Sequence, residues 1–399
     1  MTILFINRWV GYNEGGNETH IKDLIYQFAS RGHSVSVITT RGDKLTFVKE
    51  LVDVQFVNAP KGYYSYSFLG PIYALWFNLQ CFGILTKMLI LEKKRFDLLS
   101  VHFSVEAFLA RFIKLIFGIP YIMVMAGDHY LELIEGKRAD GVIQISNFMN
   151  AQCQKMGYTA DVLPKGFDLT RFRPGLPVDD LRAQLGVTGK KVVLTVCRLD
   201  PRKNLETLIR AANELINKKM FRDIVFIIVG DGVERVFLEQ LVQNYKLQAY
   251  IKFIGSLPNT GSELPLYYNL ADLFVLPTTH EGFGWVYLEA MACGLPILTT
   301  NVSSNPEVVG GVGTLIEPKN PKLLASRMFS LLQNSAQLEE MRIKGLDKAA
   351  SYSWSALMPK YESYYEQTSL KKAAKLRLRT LLFLMMDSVK IALCLVHLR

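Results

Sequence analysis

The sequence predicts an α/β chain built on two doubly wound parallel sheets. Three observations carry this. Short apolar runs alternate with longer amphipathic segments along most of the 399 residues, the pattern of βαβ units. The stretch 164–190 breaks that alternation with Pro164, Gly166, Pro174, Gly175, Pro177, Gly186 and Gly189, as an interdomain linker does. A second alternating series then begins with Lys191-Val192-Val193-Leu194-Thr195-Val196. A chain of this length has room for two ordinary cores.

In order, the first series places strands near 2–6, 34–39, 54–57, 98–101, 121–125, 142–145 and 161–163. The second places them at 191–196, 224–229, 251–254, 273–276, 296–299 and 313–316, with a helical stretch from about 322 to 370 closing the series. The domains expected are 1–175 and 188–352, facing each other across a cleft. A helix at 353–370 and a basic tail at 371–399 follow.

Composition narrows the function. Half the residues are hydrophobic and 21% are charged, a globular balance. The net charge is +10, but seven basic residues and one acid lie from Lys371 onward. The body is therefore mildly basic, and it shows no aromatic-interleaved basic groove, which argues against nucleic-acid binding. Five scattered cysteines (81, 153, 197, 293, 394) fit neither a disulfide framework nor a zinc spacing, so reduced thiols in the cytoplasm are expected. The chain enters a strand at once without a charged leader, and a secretory signal is not expected.

The most specific string is His280-Glu281-Gly282-Phe283-Gly284-Trp285 through Glu289-Ala290-Met291-Ala292-Cys293-Gly294. The run before it reads as a strand ending at Pro277, and a helix is expected from about Trp285 to Cys293, stopped by Gly294 and Pro296. Glu281 then sits on the strand-to-helix loop and Glu289 about a turn and a half into the helix. Open α/β sheets bind ligands at that end of their strands. A carboxylate accepts from two neighbouring hydroxyls, so two such acids suit a hydroxyl-rich ligand.

This string resembles the retaining glycosyltransferases of GT-B family 4, whose C-terminal half carries two glutamates eight positions apart in Glu-Gly-Phe-Gly and Glu-Ala-Met-Ala. The resemblance runs from Met1 to about Tyr365 and implies two Rossmann-like domains, with the last helix crossing back to the first. It implies that Glu281 holds the transferred sugar and Glu289 the nucleotide ribose, with Gly282, Phe283 and Gly284 in the donor loop. Arg198 and Lys203, in Cys197-Arg198-Leu199-Asp200-Pro201-Arg202-Lys203, match the family's Gly-Arg-Leu…Lys motif with Cys197 in place of glycine. Arginine supplies a planar fork and lysine a compact charge for phosphate oxygens, so the pair can neutralise a departing nucleotide diphosphate. Gly15 and Gly16 follow the first strand and open a helix, where bare N–H groups face an anion. His20, one turn into that helix, reads as packing or capping before chemistry. Val229-Gly230-Asp231-Gly232 is a lone Gly-x-Gly and weak by itself. No Asp-x-Asp triplet occurs, which argues for protein cations in place of a metal ion on the diphosphate.

One departure stands out. The family's sugar-contacting histidine after the fifth strand aligns with Ala126. His129, three residues on, is the substitute expected, and Asp128 can bond a sugar hydroxyl. His102, at another strand end, reads as an acceptor-side or structural residue.

The tail from Thr380 to Leu398 is almost apolar but contains Asp387 and Lys390 behind a collar of Lys371, Lys372, Lys375, Arg377 and Arg379. An amphipathic helix on an anionic leaflet fits this better than a span, and packing on the protein is the other reading. The aromatic-rich stretch 63–90 is expected to contact lipid or a lipid-linked acceptor. The resemblance implies a retaining hexosyltransferase. It would take a nucleotide diphospho-sugar donor and no metal cofactor, and act on a glycan or lipid-linked acceptor at the inner face of the membrane. A non-catalytic partner subunit, or a sugar-nucleotide epimerase or phosphorylase on the same fold, are the alternatives.

Overall fold

The computed structural model describes residues 1–10, 16–41, 51–58, 70–125, 129–218, 221–258 and 261–371. Gly15, Ala126, Asp128, the aromatic residues at 63–68 and the tail beyond Lys371 lie outside the described residues.

The first unit holds a seven-stranded parallel sheet. Its strands are β1 (Thr2–Ile6), β2 (Ser34–Thr40), β3 (Asp53–Val57), β4 (Leu98–Val101), β5 (Tyr121–Met125), β6 (Gly141–Gln144) and β7 (Asp161–Val162), in the order β3-β2-β1-β4-β5-β6-β7. The second unit holds six parallel strands: β8 (Lys191–Val196), β9 (Ile224–Val229), β10 (Ile251–Gly255), β11 (Leu273–Leu276), β12 (Ile297–Thr300) and β13 (Thr314–Ile316), in the order β10-β9-β8-β11-β12-β13. Every strand expected from the sequence is present, with ends shifted by at most about one residue, as element boundaries usually are. The interior strands β4, β5, β9, β11 and β12 are buried at every residue. Helices cover both faces of a parallel sheet, so such strands read as unbroken Val, Ile and Leu runs without a polar alternation.

Both sheets reverse their winding at one place. β1 pairs with both β2 and β4, placing Phe5 beside Val37 and Ser100. β8 likewise lies between β9 and β11, with Leu194 beside Ile227 and Phe274. At such a switch point the flanking connections leave in opposite directions and open a crevice at the carboxyl ends of the strands.

The compact units divide the chain elsewhere than the expected domains, and Ser146–Phe148, expected in the first domain, group with the second unit. Residues from Pro164 group with the second unit, so 164–175 leave the first domain. Tertiary contacts hold them there: Phe167 bridges to Ser353, Phe172 packs edge-on against Tyr268, and the Arg171 guanidinium donates to the Gly261 carbonyl at 2.9 Å. The last helix, Trp354–Ser369, passes from the second unit to the first at Met358. Three tyrosines fix it to the first sheet. Tyr361 donates to the Leu163 carbonyl at 3.2 Å, Tyr364 accepts from the Val142 N–H at 2.8 Å, and the Tyr365 hydroxyl lies 2.8 Å from Ser100 Oγ. Tyr361 and Tyr365 are fully buried, so each adds a large apolar payload and satisfies its hydroxyl.

Candidate functional site

The residues singled out in the second unit converge at its switch point. Arg198 and Lys203 follow β8, and Glu281 follows β11, its neighbour in the sheet. Asp200 organises the first loop. Its side chain accepts from the Arg202 N–H at 3.0 Å and caps the short 3-10 turn Pro201–Lys203. The same carboxylate accepts from Arg198 Nε at 3.0 Å. Burial works to raise the Asp200 pKa, but the Arg198 hydrogen bond and the Arg202 charge outweigh it and hold the carboxyl below its ordinary range. Arg198 and Arg202 themselves stay 68% and 60% exposed, so both guanidinium groups remain open to an anion.

The two loops are stitched together by backbone. The Thr279 N–H donates to the Arg202 carbonyl at 2.7 Å, the Thr278 hydroxyl donates to it at 2.9 Å, and Asn204 Nδ2 donates to the Pro277 carbonyl at 3.0 Å. Across this seam Lys203 Nζ meets Glu281 Oε2 at 2.5 Å, with both side chains mostly buried at 17% and 15% exposure. The Ser304 hydroxyl donates to the Glu281 carbonyl at 2.8 Å, and Ser303 Oγ lies 3.2 Å from His280 Nδ1, so the loop after β12 braces the turn.

Gly284 ends that turn in the left-handed region at φ +84° and precedes the helix Trp285–Ala292. A Cβ there would meet the Tyr287 ring at 2.4 Å and Glu281 Cγ at 3.1 Å. Phe283 is buried, its ring edge-on to Tyr352, so it anchors the turn. Glu289 lies in the helix as expected, and Tyr268 donates to its Oε2 at 2.6 Å. The residue keeps partial exposure, but its carboxyl sits deep. Burial raises the Glu289 pKa, and the Tyr268 hydrogen bond and the Arg171 charge only partly offset that. Cys197, at the family's glycine position, is partly exposed as a residue, but its thiol lies inside, and burial pushes it up to about 12. Gly230 explains the weak Gly-x-Gly: its Cβ would lie 1.8 Å from the Cys197 carbonyl, so the glycine lets β9's end pass beneath the cation loop.

The first unit carries its own cluster at the β1/β4 switch point. Glu106 is fully buried and accepts from the Arg8 N–H at 3.2 Å, with Arg8 Nε 3.4 Å away. Burial raises its pKa, and the Arg8 charge works against the rise. Asn7 Oδ1 accepts from the N–H groups of Trp9 and Val10 at 2.9 and 2.8 Å and folds the chain leaving β1. His102 is buried with its ring stacked on Phe5. His20 is buried 6.2 Å from the Tyr361 ring, the packing role read for it. Gly16 opens the helix Gly16–Ser30. His129 is exposed and precedes the helix Tyr130–Gly136 without a side-chain capping bond.

Sequence reading did not single out Arg8, Glu106 or Tyr268, and it gave Asp200 no role. Arg8 and Glu106 are 98 positions apart, and Tyr268 is 21 from Glu289, so no spacing signal joins them. The Asp-Pro pair at 200–201, a turn-opening dipeptide with proline at N1, was the available cue for Asp200.

Comparison with known proteins accords with this geometry. A family model described as Glycosyl transferases group 1 matches residues 178–347, and one described as Glycosyltransferase Family 4 matches 14–171, together most of the chain. The chain is 30% identical over 220 residues to O-antigen chain mannosyltransferase B of Escherichia coli, covering 53% of this chain and 57% of that protein. It is 29% identical over 237 residues to UDP-Gal:alpha-D-GlcNAc-diphosphoundecaprenol alpha-1,3-galactosyltransferase of Escherichia coli, covering 54% and 60%. The chain thus spans somewhat over half the length of these two curated relatives. Among solved structures, Anabaena HepE in complex with UDP superposes with a TM-score of 0.76 at 20% identity, covering 92% of this chain and 100% of that one. Two parallel-sheet units, the glutamate and cation loops at one switch point, and the two family models agree: this chain belongs to the group 1 and family 4 glycosyltransferases, with their two-domain α/β GT-B fold.

Proposed function

We propose that this protein transfers a hexose from a nucleotide diphospho-sugar to an acceptor hydroxyl with retention of anomeric configuration. The carrying observation is the Lys203–Glu281 contact beside the exposed Arg198, a carboxylate and two cations within adjoining loops. Arg198 and Lys203 take the diphosphate and offset the charge that develops as it leaves. Glu281 accepts from hydroxyls of the transferred sugar, and Glu289 from those of the ribose. The helix Trp285–Ala292 turns its positive dipole end toward the same loop, which favours an anion there. With cations already supplied by the chain, no metal ion is needed on the diphosphate. By the family resemblance, His129 and Asp128 are proposed to serve the transferred sugar, and Gly15 and Gly16 the diphosphate and acceptor.

The names of the relatives support a glycan or lipid-linked acceptor. One is named for an O-antigen chain, and the other for a diphosphoundecaprenol-linked sugar acceptor. The neighbour solved with UDP supports a nucleotide-linked donor. A cytoplasmic enzyme on the inner face of a membrane, held there in part by 371–399, fits such an acceptor.

The test is a thermal-shift screen against UDP-, GDP- and ADP-sugars, because a ligand that binds the folded state raises Tm. One donor should stabilise the protein, and Arg198→Ala should abolish that shift. NMR of the glycosylated product then reads the anomeric configuration, and turnover in EDTA reads metal dependence. An absence of any donor shift would overturn the reading in favour of a non-catalytic subunit.

A further inference from the structure

We propose that the outer face of the helical segment 70–91 in the first unit is a docking surface for an anionic lipid bilayer. This does not rest on the transfer reading. The segment consists of the α-helix Gly70–Thr86 and a π-helical turn, Lys87–Leu91. It is apolar on two opposite faces. Phe77, Cys81, Leu85 and Met88 point inward, at most 1% exposed, and belong to the core of the first unit. Ile72, Leu75, Leu79 and Ile90 point outward at 60–63% exposure, and Leu91 at 73%.

Steps of three and four residues, then three turns, keep the outward residues on one stripe about 27 Å long. Gly83 completes the stripe without adding a polar group. A surface helix ordinarily places polar residues on the face turned from its core, and an apolar one is covered by something. By length and hydropathy the stretch Ile72–Leu91 would suffice to cross a bilayer, yet only 22% of its most apolar window is buried. Spanning would pull Phe77, Cys81, Leu85 and Met88 out of the core, so the helix lies on the bilayer and does not cross it.

Charge selects the bilayer as the occupant. Residues 87–95 carry Lys87, Lys93, Lys94 and Arg95 against one acid, Glu92. Glu92 is shared between Lys87 at 3.5 Å and Lys94 at 3.1 Å, and Lys94 also meets Asp53 at 2.7 Å. Lys93 and Arg95 are exposed and have no ion-pair partner among the described residues. An apolar stripe ending in unneutralised cations matches acyl chains beneath anionic headgroups, and cations cluster far less at the centre of protein interfaces.

The test uses full-length protein in flotation assays with phosphatidylcholine vesicles, with and without phosphatidylglycerol. Wild type should float with the anionic vesicles. The exposed triple variant Ile72→Gln/Leu75→Gln/Leu79→Gln should partition at least about tenfold less, with no fall in Tm. Lys87→Gln/Lys93→Gln/Arg95→Gln should lose the preference for phosphatidylglycerol. A fluorophore attached through Leu75→Cys, with Cys394→Ser, should shift to the blue when anionic vesicles are added. Wild-type flotation by the apolar triple variant would overturn the proposal and leave the tail as the anchor. Emission already blue in buffer and unmoved by vesicles would overturn it too, because another segment or a second copy would then cover the face.

Discussion

Lys203 and Glu281 neutralise each other at 2.5 Å although 78 residues separate them. The residue proposed for the diphosphate and the residue proposed for the sugar are therefore held to one another across adjoining loops. Glu281→Gln keeps the shape and removes the charge. Turnover should fall about a hundredfold or more, with donor affinity less affected, and steady-state kinetics with the matched donor reads both. An unimpaired rate would remove Glu281 from the site.

Lys203→Ala strands the Glu281 carboxylate in a mostly buried place. Stability should fall by about 1–3 kcal/mol, since an unpartnered buried group bears its desolvation cost. Donor affinity should weaken by about tenfold or more. Adding Glu281→Gln to that variant should recover part of the stability but none of the activity. A double-mutant cycle in urea checks the coupling.

Gly284→Ala forces a side chain into the left-handed region and against the Tyr287 ring at 2.4 Å. The Tyr287 hydroxyl is tied to Thr299 Oγ1 at 2.9 Å inside the core, so the ring cannot swing aside cheaply. A loss of about 2 kcal/mol or more is expected from strain and clash together. Turnover should drop with it, because Glu281 Cγ lies on the other side of the same space.

Glu289 gives a pH signature. Its folded pKa is raised above the ordinary 4.5 by burial, so folding takes up a proton between the two values. Its contribution to stability is full below the unfolded value and is lost as pH rises through the raised one. Glu289→Gln keeps an acceptor for Tyr268 and cannot ionise. The Tm of the variant relative to wild type should therefore be higher at about pH 7.5 than at about pH 4. Donor affinity should still fall in the variant, because the ribose hydroxyls lose a charged acceptor.

Asp200→Ala removes the cap on the turn Pro201–Lys203 and the partner of Arg198. Stability should drop by about 1 kcal/mol. The wild-type benefit is present above the ordinary carboxyl value of 3.8 and vanishes as pH falls through the lowered one. The Tm difference between the two proteins should accordingly narrow in acid.

Much of the fold was legible in the sequence. Buried parallel strands announce themselves as apolar runs, so β9, Ile-Val-Phe-Ile-Ile-Val, could be placed to the residue. The Gly-Phe-Gly turn and Gly294 marked the limits of the helix between them, because glycine is favoured where φ turns positive, as it does at Gly284 and Gly294. The limit at 175 was read from prolines and glycines. Those mark where the chain bends, whereas the domain limit depends on which core Phe167 and Phe172 join.

The sequence by itself determined the two sheets, the order of their strands along the chain, and the residue types able to handle sugar and phosphate. Tertiary structure decided the pairings. Asp200 orienting Arg198, Lys203 closing on Glu281, Tyr268 holding Glu289 and Arg8 fastening Glu106 all depend on strand order in space. It also decided that helix 70–91, predominantly apolar in the sequence, buries one face and leaves the other exposed. Local propensity and periodicity act over a few residues. A buried charge, by contrast, selects its partner by proximity in the folded core, where the cost of leaving it unpaired is highest.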